Sequence, residues 1–131
     1  MSASASFVKS LLAQCCLGGI CEWVVCPGAR NMALLQVLAA AEDLVKWTHF
    51  DERSAAFFAL GRIQDMGLPV AVVTTSGTAA AELLPAVVEA YYQRRPLLLL
   101  TADRPADYRG SAAPQAIEQA DLFGIYAPTI D

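Results

Sequence analysis

The chain has 131 residues, of which 56% are hydrophobic, and its formal net charge is −4. That is enough apolar material for one domain with its own core, and it excludes an intrinsically disordered segment. The nine basic residues are scattered, so the sequence offers no electrostatic footprint for nucleic acid.

Taken in chain order, residues 6–17 place Phe7, Leu11, Leu12 and Cys15 at helical spacing, and Gly18-Gly19 stop that helix. Lys9 ahead of Leu11 to Leu17 resembles a secretory leader only faintly, because Gln14 interrupts the apolar run and no small-residue cleavage site follows cleanly. No stretch has the length of a membrane span, and a cytoplasmic location is expected. Cys15, Cys16, Cys21 and Cys26 form no C-x-x-C pair, and the single histidine, His49, is distant in sequence. They read as small apolar residues in a reducing compartment rather than as zinc ligands.

Trp23 to Cys26 is a short buried strand ending at the turn Pro27-Gly28. Met32 to Glu42 is rich in alanine and leucine and predicts a helix. Val45 to Phe50 is β-branched and aromatic, a strand. Glu52 to Met66 predicts a helix closed by Gly67, with Pro69 just beyond. Val70 to Thr75 is a continuous apolar strand, Ala79 to Gln93 a helix despite Pro85, and Pro96 to Thr101 a further strand. Residues 102–114 are polar and irregular, and Gln115 to Tyr126 predicts a short helix and a loop.

Strand and helix therefore alternate with a repeat of about two dozen residues, the signature of βαβ units. The fold class is α/β, an open parallel sheet with helices on both faces, because strands such as Val70-Ala71-Val72-Val73 lack alternation. In such a sheet ligands sit outside the carboxyl ends of the strands. Four strand-to-helix junctions meet there: Pro27-Gly28-Ala29-Arg30, Asp51-Glu52-Arg53, Thr74-Thr75-Ser76-Gly77-Thr78 and Thr101-Ala102-Asp103-Arg104-Pro105.

Each junction has two readings. Asp51 or Glu52 caps the following helix, or a carboxylate there is aimed at a ligand nitrogen or proton. Ser76-Gly77-Thr78 is an ordinary helix start, or a small turn that lets the backbone approach a ligand. Arg30 and Arg104 form surface ion pairs, with Asp103 or Asp107 as partners, or fork onto substrate carboxylates. No G-x-G-x-x-G or phosphate-loop lysine motif points to a dinucleotide or nucleoside triphosphate.

These junctions, together with Asp51-Glu52-Arg53-Ser54-Ala55-Ala56-Phe57-Phe58-Ala59-Leu60-Gly61, Leu83 to Ala90 and Thr101-Ala102-Asp103-Arg104-Pro105, resemble one family in order and spacing. It is the family of 2-succinyl-5-enolpyruvyl-6-hydroxy-3-cyclohexene-1-carboxylate synthases, thiamine-diphosphate enzymes of menaquinone biosynthesis. The match runs from about residue 5 to the end of the chain. The resemblance implies that residues 1–131 are the N-terminal, pyrimidine-binding domain of a longer homo-oligomeric transferase. It implies that a second subunit completes the cofactor site, and that this domain alone does not turn over.

By the same resemblance Glu52 hydrogen-bonds the pyrimidine ring nitrogen of thiamine diphosphate and favours its imino tautomer. Pro27, Ser76 and Gly77 contact the cofactor, and Arg30, Arg104 and Gln115 face the substrates, 2-oxoglutarate and isochorismate. No Gly-Asp-Gly motif occurs in the chain, so the metal, Mg2+ or Mn2+, is expected to be held by another domain. Two positions depart from the family: Ala29 stands where it reads serine, and Pro114 where it reads asparagine. Two other readings stay open. One is a different thiamine-diphosphate carboligase or decarboxylase, such as an acetolactate synthase. The other is a non-catalytic binding or assembly module.

Overall fold

The computed structural model describes residues 3–130. In chain order it holds α1 (Ala3–Leu17), β1 (Glu22–Val25), α2 (Met32–Ala40), β2 (Val45–Thr48), α3 (Glu52–Met66) and β3 (Val70–Thr74). These are followed by α4 (Thr78–Ala81), α5 (Leu84–Tyr92) and β4 (Leu97–Thr101), with single 3-10 turns at Ala106–Tyr108 and Gly124–Tyr126. The four strands form one parallel sheet in the order β2-β1-β3-β4.

Alternate residues of the strands feed two separate cores. Val24, Val70 and Val72 face Ala55, Ala59 and Ile63 of α3 and Ala86 and Val87 of α5. Trp23, Val25, Ala71 and Val73 face Leu12 of α1 and Leu38 of α2. The chain steps from β1 to β2 in one direction and from β2 back past β1 to β3 in the other. Right-handed crossovers then require α2 and α3 on opposite faces, as observed. β1 and β3 are fully buried, whereas β4 is half-buried and β2 is exposed because they form the sheet edges.

Local chemistry sets the ends of the elements. α2 stops at Ala40, ahead of the Glu42 predicted from its composition, and Lys46 reaches back to the carbonyls of Leu38 and Ala41. A cation on the last carbonyls satisfies acceptors that the helix leaves open. α3 begins at Glu52, capped by Asp51, and ends at Gly67, whose N–H bonds to Ile63 O at 2.8 Å.

The single helix expected over Ala79 to Gln93 is two helices, α4 and α5. Pro85, in the first turn of α5, has no N–H for the carbonyl one turn earlier, and its ring would clash with that carbonyl. The helix expected after Gln115 is absent. Gln115 and Asp121 sit at φ +56° and +58°, the left-handed region that interrupts a helix, and the segment is held by turns.

Candidate functional site at the carboxyl edge of the sheet

The strand order reverses direction between β1 and β3, and the crevice at that switch point is where open α/β sheets bind ligands. Its walls are the turn after β1 and the turn after β3. The first is pinned by Asn31, only 2% exposed, whose Oδ1 accepts from Gly28 N–H at 2.9 Å. Its Nδ2 donates to Cys26 O, also at 2.9 Å. Pro27, Ala29 and Arg30 are left exposed on this turn. Gly28 lies so close to the second turn that a Cβ there would stand 2.6 Å from Thr75 Cβ.

In the second turn Ser76 is fully buried, and among the described residues its hydroxyl has no hydrogen-bond partner. It therefore does not cap α4, whose N-cap position is Gly77. Gly77 has φ +76°, and a Cβ on it would meet Gln115 O at 2.6 Å. Only glycine meets both conditions without displacing the chain.

The acidic pair at the start of α3 divides its work. Asp51 Oδ1 accepts from Ser54 N–H at 2.7 Å, so Asp51 is the cap. Hydrogen bonding by Ser54 holds the Asp51 carboxyl below the usual carboxylate range. Glu52, the first residue of the helix proper, is half-buried and takes no part in the cap. Beside it Cys26 is 1% exposed, and burial pushes its thiol up to about 12, with the charges of Glu52 and Asp51 adding to the rise. Cys26 is thus a neutral, inert wall next to a carboxylate. Cys16 and Cys21 are exposed and Cys15 is half-buried, so of the four cysteines only Cys26 is buried.

The fourth junction departs from the expected ion pairs. Asp103 takes Arg104 N–H at 2.7 Å and pairs with Arg109 at 3.7 Å. The Arg104 guanidinium instead donates to Pro114 O and lies 6.0 Å from the centre of the Tyr108 ring. Pro114 has no amide side chain, yet its carbonyl serves as an acceptor for Arg104.

The structure thus gathers Ser76, Gly77, Arg104 and Gln115 into one connected group, with Glu52 beside Cys26 and Pro27 exposed on the turn after β1. Among the described residues no hydrogen bond or ion pair ties Arg30 to Glu52 or Arg104. Two open clefts, about 260 and 290 Å³, lie away from this edge, one between α5 and β4 and the other between α1 and α2.

Sequence reasoning missed two residues here. Asn31 stands directly before an apolar helix, a cap-like signal, although its amide braces the turn instead of capping α2. Gln119 bonds Gly77 and the exit of β4, and nothing in its sequence surroundings marks it. The donors and acceptors present fit an aminopyrimidine: a half-buried carboxylate beside an apolar wall, and a buried hydroxyl that lacks a partner.

This combination of fold and edge is that of a cofactor-binding domain of thiamine-dependent enzymes. Residues 7–122 match the family "Thiamine pyrophosphate enzyme, N-terminal TPP binding domain", and the chain belongs to that family. It is 95% identical over its whole length to the 2-succinyl-5-enolpyruvyl-6-hydroxy-3-cyclohexene-1-carboxylate synthase of Akkermansia muciniphila, of which it spans 25%. The enzyme of the same name from Bdellovibrio bacteriovorus is 54% identical over 82% of the chain, which spans 20% of it. That from Geobacillus thermodenitrificans is 53% identical over 94% of the chain, again spanning 20% of the relative. The chain therefore spans a quarter or less of these curated relatives. Among solved structures, the thiamine diphosphate-dependent 4-hydroxybenzoylformate decarboxylase of Rhodococcus jostii RHA1 shares the fold. Its TM-score is 0.78 at 14% identity, over 95% of this chain and 23% of that one.

Proposed function

We propose that the chain is the pyrimidine-binding domain of a full-length 2-succinyl-5-enolpyruvyl-6-hydroxy-3-cyclohexene-1-carboxylate synthase. That enzyme would decarboxylate 2-oxoglutarate and transfer the remaining four-carbon unit to isochorismate. The observation that carries the reading is the division of labour at the start of α3. Asp51 makes the cap, which leaves the Glu52 carboxylate free at the ligand-binding edge beside a neutral thiol.

When bound, thiamine diphosphate supplies the electron sink for decarboxylation of a 2-oxo acid. Glu52 accepts a hydrogen bond at its carboxylate and so holds a proton on the pyrimidine ring nitrogen. The neutral Cys26 thiol beside it adds no competing charge. Ser76 supplies a hydroxyl that has no partner among the described residues, and the close approach of Gly28 to Thr75 keeps the crevice narrow beside Pro27 and Gly77. Arg30 and Arg104 offer guanidiniums to substrate carboxylates, and Gln115 an amide. Arg104 gains a fixed direction from Pro114 O and Tyr108.

The holoenzyme on this reading is a cytoplasmic homo-oligomer. By the family resemblance, a second subunit would supply the diphosphate site with Mg2+ or Mn2+. Among the described residues no helix is long and apolar enough to cross a membrane. The test is product formation by the full-length protein from 2-oxoglutarate and isochorismate, with and without thiamine diphosphate. Cofactor-dependent loss of both substrates is expected. Equal turnover of pyruvate in place of 2-oxoglutarate would favour an acetolactate-type enzyme and overturn the proposal.

A further inference from the structure

We propose that Gln119 is a positioning residue, whose buried amide ties Gly77 to the exit of β4 and thereby sets where Arg104 and Gln115 stand. The inference rests on the synthase reading above. Gln119 is 8% exposed. Its Oε1 accepts from Gly77 N–H at 2.7 Å. Its Nε2 donates to Ala102 O at 3.0 Å and lies 3.4 Å from Thr101 Oγ1. One side chain thus joins the turn after β3, the end of β4 and the irregular segment that follows.

That segment needs such a tie. Between Arg104 and Gln119 no helix or strand longer than one 3-10 turn fixes the backbone, and Ala112 and Gln115 both adopt positive φ. Local turn hydrogen bonds and the Arg109–Asp103 pair shape its middle, and Arg104 on Pro114 O and the Gln115 carbonyl against Gly77 tie it towards the sheet. Gln119 closes that loop from its far end, so the two side chains read as substrate-facing sit between two anchors. An amide is the group that can do this, because it offers an acceptor at one end and donors at the other. The competing view is that Gln119 only satisfies two main-chain groups and matters for stability alone.

The test is steady-state kinetics of the full-length enzyme with Gln119→Met, which keeps the shape and loses both ends, and Gln119→Asn, too short to span both partners. A displaced binding group far from the chemistry costs on the order of 10- to 100-fold. We expect the KM for 2-oxoglutarate or isochorismate to rise by about that factor in Gln119→Met and by less in Gln119→Asn. The kcat should stay near wild type, the pattern of lost uniform binding. An unchanged KM, whatever happens to Tm, overturns the proposal. So does a kcat that falls while KM stays at the wild-type value.

If the wild-type full-length protein does not turn over these substrates, the synthase reading fails by itself. Hydrogen exchange then still decides the positioning. Faster exchange at the Gly77 amide and over residues 104–119 in Gln119→Met, with β1 and β3 still protected, supports it, and unchanged exchange there overturns it.

Discussion

At the scale of single residues, neighbouring carboxylates have opposite duties. Asp51 accepts from Ser54 N–H, and hydrogen bonding by the Ser54 side chain, then by its N–H, lowers the Asp51 pKa. The sign follows from linkage: a depressed carboxylate stabilises the fold above its unfolded pKa and loses that contribution as pH falls through the folded value. Asp51→Ala is therefore expected to lower Tm at neutral pH. The gap to wild type should close as pH drops below the ordinary aspartate value of 3.8. Thermal melts across that range check it, and a gap that widens in acid would contradict it.

Gly77 gives a second residue-scale prediction. Gly77 and Gly67 both have positive φ, but a Cβ at Gly67 would meet nothing within 4 Å, while one at Gly77 would strike Gln115 O. Gly67→Ala should cost about 1 kcal/mol, the price of the left-handed backbone alone. Gly77→Ala should cost about 1–3 kcal/mol more, through overpacking. Urea unfolding of the two variants compares them directly.

At the scale of elements, helix α3 is the bridge between core and site. Ala55, Ala56 and Ala59 are fully buried against the sheet, and these small side chains let the helix lie close over β1 and β3 with Glu52 at its leading end. Ala59→Leu would overfill that interface, at an expected cost of roughly 1–3 kcal/mol. Denaturant unfolding should show it, and a neutral result would mean the layer is looser than described.

Elements were legible where chemistry is local. Asp51 and Gly67 punctuate α3, and the unbroken apolar run of β3 marks a strand buried on both faces. Pro85 is visible too, but a single proline does not show by itself where a helix divides. The pattern of apolar residues continues through it, while the missing N–H splits the helix. The segment after Gln115 was illegible for a different reason. It is shaped by long-range bonds such as Gln119 to Gly77, across 42 positions, which override any local helical preference. The same holds at the site. The junction motifs identified the edge, but which carboxylate caps, and which carbonyl receives Arg104, depend on contacts that no spacing encodes.

At the scale of the whole molecule, the parallel sheet makes one functional edge out of four distant sequence segments. Two apolar cores hold the strands in register, so the turns after β1, β2, β3 and β4 meet at one end. That end is rich in acceptors and guanidiniums and, on the proposed function, would form part of a site for a diphosphate-bearing cofactor. In the role proposed for it, this domain would activate a cofactor that another domain anchors, and that role depends on Glu52.

The most direct measurement is therefore the turnover of the full-length enzyme carrying Glu52→Gln, with its Tm measured alongside. An amide in place of the carboxylate keeps the shape and removes the charge that holds the ring-nitrogen proton. Loss of such proton-transfer assistance typically costs ~10²–10⁴ in rate. We expect kcat to fall by about that factor while Tm stays near wild type. Near-normal turnover would contradict the assignment of Glu52, and with it the role proposed for this domain.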